Sequence, residues 1–452
     1  MRFLLFIIAN ALLFIRPSEL IVDLYAVELY RYAILACLAV TFPAVVQQLL
    51  VRYPGVPAIA GCVLGLFPAV LFSNLLGGNS EMILDNALEF AKVLIYYLLL
   101  LALLNSFARL ERFLYWLSIF TVGLALIAVV RYHTDTLLPA PAQDAEVSAE
   151  TPGKRKPNGT YVVDRVRDPQ TGVETIVRRM CGTGIFNDPN DLALALVAAM
   201  PLCLYWITDP ARRHGRLLWL ACLLLCGYAL LLTSSRGGFL ALMGSLALFL
   251  HVRFGGRQTL LMAMLVFPLL LVVFAGRMTT ISASDGTGQS RIQLWYEGLQ
   301  YFQSSPLFGI GMENYQHYST HVAHNSFIHC YTELGLLGGT LFLGAFYFAL
   351  SGLYQLRGVL DPEMDPALRR LHPYLFAVVV AYTVGMLFLS RSYIVPTFMV
   401  LGLATVFLRL QAPQVRALAV HWNRLILPRL AGVSFTFLIV SYTFVRLFVN
   451  LK

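Results

Sequence analysis

Apolar runs close to the roughly 20 residues that carry a helix across a bilayer recur along this chain from end to end, and no other feature restricts its fold as strongly. Of its 452 residues 58% are hydrophobic and 13% are charged, about half the charged share of a soluble chain. With a mean hydropathy of +0.71 the chain reads as an all-α, polytopic integral membrane protein, a single membrane domain over residues 1–452 with no soluble domain. About 13 spans are expected, near 3–15, 31–49, 57–76, 87–106, 113–130, 190–207, 217–233, 238–252, 259–275, 324–350, 373–389, 393–409 and 427–449.

The net charge of +9 is a topology signal rather than a nucleic-acid footprint, because the basic residues sit mainly in short loops between apolar runs. Starting the chain inside puts every short basic loop on the cytoplasmic side: Arg52, Arg109 with Arg112, Arg212 with Arg213 and Arg216, Arg253 with Arg257, Arg369 with Arg370, and Arg416 with Arg424. The first fifteen residues resemble a secretory signal, but Arg16, Pro17, Ser18 and Glu19 follow in place of a small-residue cleavage site, so a short attached span is expected. Six of the seven cysteines lie in apolar segments and only Cys181 lies in a polar loop, which gives neither a disulfide framework nor a metal spacing.

This topology leaves two long loops on the outer face, about 131–188 and 276–323. In the first, the basic run Lys154-Arg155-Lys156 is roughly balanced by acidic residues, and the turn signal at 168–172 separates two β-branched runs that suit a small hairpin. In the second, a flexible linker at 282–288 precedes a stretch in which Ile292, Trp295, Leu299 and Phe302 recur at helical spacing, as in an amphipathic helix lying at the interface. Ser305-Pro306 ends that helix, and the chain re-enters the membrane at His324. Between the spans near 217–233 and 238–252, Arg236 sits at the tip of a tight helical hairpin beside Gly237 and Gly238.

The stretch from His324 to Gly339 carries titratable groups into an apolar helix, where a charge costs a few kcal/mol, so these residues are functional candidates. Each also has a plainer reading. Arg236 alone suits a snorkelling anchor, Arg291 the solvated side of an interfacial helix, and Asn325 with Ser326 the start of a helix. Gly335, Gly338 and Gly339 suit close helix packing, and Glu333 suits a buried hydrogen-bonding partner better than a catalytic group. His321, His324 and His329 with Glu333 match no zinc spacing, so no metal site is expected. Lys92 suits either a pair with Glu89 or a bound phosphate, Arg391 stands between two spans at the outer surface as an accessory binding candidate, and Asn187 and Asn190 suit helix capping first and contact with sugar hydroxyls second.

Taken in order, Thr233-Ser234-Ser235-Arg236-Gly237-Gly238, then Arg291-Ile292-Gln293-Leu294-Trp295 with the run from Ser305 to Gly311, then His324-Asn325-Ser326-Phe327 with Glu333 to Gly338, resemble the bacterial O-antigen ligase and polysaccharide polymerase superfamily. The resemblance extends over roughly residues 180–410, including the Asn-rich entry to a span at 182–191. It implies a metal-independent glycosyltransferase of the bacterial inner membrane, without cofactor, that takes a glycan from undecaprenyl diphosphate and attaches it to an acceptor hydroxyl at the periplasmic face. The acceptor is the lipid A core in a ligase and another lipid-linked glycan in a polymerase. The resemblance carries over Arg236 and Arg291 as diphosphate binders, since guanidinium forks match phosphate oxygens without a metal, and His324 as the group beside the acceptor hydroxyl. Arg391, Asn325 and Glu333 follow as substrate-binding candidates. A polytopic transporter or lipid flippase is the alternative of a different class, but a transporter calls for polar groups spread through the bilayer thickness and usually for repeat symmetry, neither of which is visible in this sequence.

Overall fold

The computed structural model describes residues 1–24, 27–50, 57–77, 80–137, 161–167, 174–273, 287–319, 321–357, 365–411 and 426–449. Arg52, the basic run at 154–156, the turn at 168–172, most of the linker at 282–288, Arg416 and Arg424 lie outside these residues. In chain order the elements are α1 (Arg2–Ile15), α2 (Leu29–Leu50), α3 (Pro57–Leu76), α4 (Ile83–Leu103), α5 (Phe107–Leu137), β1 (Tyr161–Arg167), β2 (Glu174–Met180), α6 (Pro189–Ile207), α7 (Arg216–Thr233), α8 (Arg236–Phe254) and α9 (Gly256–Val273). They continue with α10 (Thr287–Ser304), α11 (Tyr315–Tyr318), α12 (Ser326–Leu356), α13 (Pro366–Met386), α14 (Val395–Gln411) and α15 (Ile426–Phe448).

This is an all-α multi-pass membrane protein. Every apolar stretch marked in the sequence falls on a helix, and among the described residues nine helices are long and apolar enough to cross a bilayer: α2 to α8, α12 and α15. Helices α9 and α14 are apolar but shorter, and α1 has 14 residues. Arg109 and Arg112 differ from expectation in belonging to the first turns of α5, which leaves only residues 104–106 between α4 and α5. The reason is capping. Arg109 Nη1 donates to the carbonyl of Leu103 (3.2 Å) and Arg409 Nη2 to those of Leu101 and Leu104 (both 2.9 Å), so two cations take carbonyls that the end of α4 leaves open.

The described chain divides into two units, one of residues 1–40, 111–281 and 373–381, the other of residues 41–110, 282–372 and 382–452. In the first, α6 packs along α7 and α8, and β1 pairs with β2 as an antiparallel hairpin in which Tyr161 faces Met180 and Arg167 faces Glu174. Its aromatic core joins Tyr115, Tyr205, Trp206 and Trp219. The Tyr115 and Trp206 rings meet edge-on at 5.3 Å, a contact worth about 1 kcal/mol beyond burial. The polar ends of these rings are matched: Trp206 Nε1 donates to Ser118 Oγ (3.1 Å) and Tyr205 Oη to Glu111 Oε1 (2.8 Å).

In the second unit α12 packs against α3, α10, α14 and α15. It is a broken helix. At Gly335 the backbone takes φ 65° and ψ −163°, a conformation restricted almost entirely to glycine, and a helix interrupted within a bilayer must find other partners for its freed polar groups. Residues 306–311 supply them. Ile310 N and Gly311 N donate to the carbonyls of Thr332 (3.1 Å) and Glu333 (3.0 Å), while Leu336 N and Leu337 N donate to those of Pro306 (2.7 Å) and Leu307 (3.3 Å). Ser73 Oγ donates a further bond to the Glu333 carbonyl at 2.5 Å. The two backbones come so close that a Cβ on Gly309 (φ 74°) would lie 2.3 Å from the Glu333 oxygen, and one on Gly335 2.5 Å from the Leu307 oxygen. Gly335 therefore serves the break itself, whereas the sequence suggested close helix packing.

Gly335→Ala combines a glycine-only conformation with this overlap and is expected to cost about 3 kcal/mol. Gly123→Ala, in open space on α5, is expected to be neutral or slightly stabilising. Unfolding of the two detergent-solubilised variants beside the wild type checks the contrast.

Candidate functional site

The pocket of interest lies in the second unit, where α10 runs beside the segment that leads into α12. Its apolar stripe and the stop at Pro306 define α10, and neighbouring side chains tie it down. Tyr315 Oη donates to the Leu294 carbonyl (2.6 Å), Thr332 Oγ1 to that of Gly298 (3.0 Å), and Trp295 Nε1 to that of Ala323 (2.7 Å). The last bond fixes the chain one residue before His324. Between these elements is a pocket of about 300 Å³ lined by Ser290, Arg291, Gln293, Leu294, Glu297, His321 and His324.

His324 has φ 51°, in the left-handed region, at a cost of about 1–2 kcal/mol for a residue with a side chain. The next residue returns to extended geometry, and its side chain caps α12: Asn325 Oδ1 accepts from Phe327 N (3.0 Å) and Ile328 N (3.2 Å). Ser326 then ties in the loop after α13, donating to the Leu389 carbonyl (2.5 Å) and accepting from Arg391 N (2.9 Å), while Ser392 Oγ donates to the Ser326 carbonyl (2.9 Å). The backbone of Arg391 is thus fixed two residues along the chain from His324. Arg291 and His324 share the pocket, whereas Arg391 and Asn325 are not in its lining and are tied to the start of α12.

Glu333 stands apart from the pocket lining. It is fully buried, with Oε1 accepting from Tyr315 N (3.2 Å) and Oε2 at 3.1 Å from His329 Nε2. The His329 ring stacks on Tyr315 with centroids 5.3 Å apart. Through its carboxylate and its carbonyl, Glu333 holds the excursion between α10 and α12 at two places, Tyr315 and Gly311. Nearby, Glu313 lies outside the spans. Partial burial, with the charges of Glu333 and Glu89 behind it, raises its carboxyl above the ordinary range, and His329 opposes the rise.

Arg236 belongs to the first unit, as the first residue of α8 directly after the left-handed turn at Ser234 (φ 49°), and it is half-buried. Ser235 caps α8 by accepting from Gly238 N (3.1 Å) and donates to Asn190 Oδ1 (2.7 Å). Arg179 on β2 completes the cluster, with Nη2 on Asn190 Oδ1 (2.8 Å) and Nε on the Thr233 carbonyl (3.1 Å). A Cβ on Gly238 would lie 2.7 Å from that of Ala193, so α8 closes directly on α6. In the Asn-rich entry it is Asp188 that caps α6, accepting from Asn190 N (2.8 Å), and this leaves the Asn190 side chain for the cluster around Ser235.

The pocket combines a permanent cation, two imidazoles and a carboxylate with hydrogen-bonding neighbours, a set that can hold an anion and a hydroxyl-bearing group side by side. Among the described residues no three His, Cys, Asp or Glu side chains are grouped to hold a metal ion. Sequence reasoning passed over Glu297, Arg179 and the pocket position of His321. Glu297 had a readable signal, because Ser290, Leu294 and Glu297 recur at helical spacing on the side of α10 away from Ile292, Trp295, Leu299 and Phe302. Arg179 had none beyond its place in a strand.

A model of the O-antigen ligase family matches residues 220–343, a segment that includes Arg236, Arg291, His324 and Glu333. A search of curated proteins returns no match.

The Glu313 shift has a definite pH signature. Its folded pKa exceeds its unfolded one, so the stability it contributes is present below the unfolded value, near 4.5, and is lost as pH rises through the folded value. Glu313→Gln is therefore expected to unfold at a higher temperature than wild type at pH 7.5. The advantage should shrink on acidification and vanish below about pH 4, as unfolding midpoints across that range would show.

Proposed function

We propose, from the premise that residues 220–343 of this membrane protein belong to the O-antigen ligase family, that it transfers a glycan from undecaprenyl diphosphate to an acceptor hydroxyl at the periplasmic face of a bacterial inner membrane. The observation that carries the reading is the shared pocket of Arg291 and His324, two residues 33 positions apart in sequence. A departing lipid diphosphate gains negative charge as its glycosidic bond lengthens. Arg291 meets that charge with a guanidinium that stays ionised and matches phosphate oxygens, and Arg236, which does not line this pocket, is proposed as a second diphosphate binder on the resemblance of its Thr-Ser-Ser-Arg-Gly-Gly setting alone. His324 takes or orients the proton of the acceptor hydroxyl, whose oxygen attacks the anomeric carbon opposite the diphosphate. The new glycosidic bond forms as the old one breaks, and configuration inverts. The left-handed backbone at His324, held by the Asn325 cap and the Ser326 bridges, presents the imidazole before substrate arrives.

A lipid A core acceptor makes the protein a ligase; a second lipid-linked glycan makes it a polymerase. In cells lacking the endogenous protein, Arg236→Ala, Arg291→Ala and His324→Ala are each expected to insert normally and to lower glycan transfer at least about 100-fold. Gel profiles and mass spectrometry of surface glycans read the loss and identify the acceptor. Wild-type transfer by all three variants would falsify the assignment.

A further inference from the structure

Among the described residues Glu297 is the one acidic side chain lining a pocket proposed for a diphosphate, and a carboxylate repels that ligand. Its position on α10 is built. Ser319 Oγ donates to Oε2 at 2.7 Å and Gln293 Nε2 reaches Oε1 at 3.4 Å, so two of about four acceptor positions on the carboxylate are engaged and the others remain for a ligand. Glu297 follows Arg291 by six residues, about 9 Å along the helix axis, which separates a cationic end of the pocket from an anionic one. An ionised carboxylate is a strong acceptor for hydroxyl donors, and the uncharged, hydroxyl-rich part of a lipid-linked glycan is its sugar.

We infer that the pocket is bipartite and that Glu297 binds a hydroxyl pair on the sugar adjoining the diphosphate, making it a recognition residue for the carbohydrate portion of the donor. The inference rests on the diphosphate reading of Arg291. It also gives the pocket a direction. A donor held at both ends presents one face of its anomeric carbon, whereas a bare polyprenyl diphosphate engages only the Arg291 end.

The test compares binding of undecaprenyl diphosphate and of the lipid-linked oligosaccharide extracted from cells that make this protein, to full-length protein in detergent. Glu297→Gln, which retains an oxygen to accept from Ser319, and Glu297→Ala are both expected to weaken binding of the oligosaccharide-bearing lipid by about 10- to 150-fold while leaving the bare diphosphate unchanged or slightly tighter. Arg291→Ala is expected to weaken both ligands. Wild-type affinity for both ligands in the Glu297 variants overturns the inference. An equal loss of both, with a lowered unfolding temperature, also overturns it, because Glu297 then only ties α10 to Ser319. If Arg291→Ala leaves bare diphosphate binding intact, the diphosphate reading fails separately.

Discussion

A broken helix sets the geometry of this protein's second unit. Within a bilayer an interrupted α-helix exposes polar backbone groups that neither water nor lipid can satisfy, each at a cost of several kcal/mol. At Gly335 that cost is removed by four backbone hydrogen bonds to residues 306–311, a segment separated from the break by more than twenty residues of chain. Neither side of this interlock stands alone. The break needs the excursion to match its amides and carbonyls, and the excursion needs the break because Gly309 rests directly on the backbone at residues 333–335. The consequence reaches the pocket, since α10, the excursion and the start of α12 are joined end to end and a fixed junction after α10 limits where His324 emerges.

Polar groups in this unit divide into two kinds of work. Glu333 and His329 are buried together and contact each other and Tyr315, so they are engaged in holding the excursion. A buried pair of this sort is weak evidence for stability, but loss of either partner strands the other. The pocket groups differ in being only partly covered. Arg291 and His324 are half-buried, His321 is exposed, and Trp295 and Tyr315 beside them anchor backbone carbonyls. A polar cluster that carries the fold and another that stays accessible to ligand are neighbours in sequence, and only coordinates separate them.

Much of the fold was legible because helix formation in lipid is a local matter. Length and hydropathy decide where a spanning helix lies, and every apolar stretch read from the sequence falls on a helix, nine of them among the described residues long and apolar enough to span. Boundaries were less legible where tertiary partners act: Arg109 reads as a loop cation, yet it lies in α5 and caps α4, and its partner in that task, Arg409, is 300 residues away in sequence. Gly335 illustrates the same limit, because a glycine-rich helix suggests close packing, and the sign of a single φ depends on which backbone arrives beside it. The proximity of Arg291 to His324 follows from one excursion of the chain and is close to a local inference. Glu297 escaped because the apolar stripe of α10 was followed and the opposite stripe was not.

The strained backbone at His324 is the point where fold and chemistry meet. A left-handed residue with a side chain persists only where its surroundings over-determine it, and here the determinants are identifiable. Trp295 fixes the carbonyl of Ala323 on one side; on the other, Asn325 is committed to the helix cap and Ser326 to the loop at 389–392. With both flanks held, relaxing His324 toward an ordinary φ would break a cap or a buried hydroxyl bond, each worth about as much as the strain itself. The backbone that carries the imidazole is therefore held by its neighbours' hydrogen bonds, so the origin of the side chain is set before any ligand arrives. In the proposed glycan transfer that matters, since a backbone already set at His324 leaves less alignment to be supplied when the reactants meet.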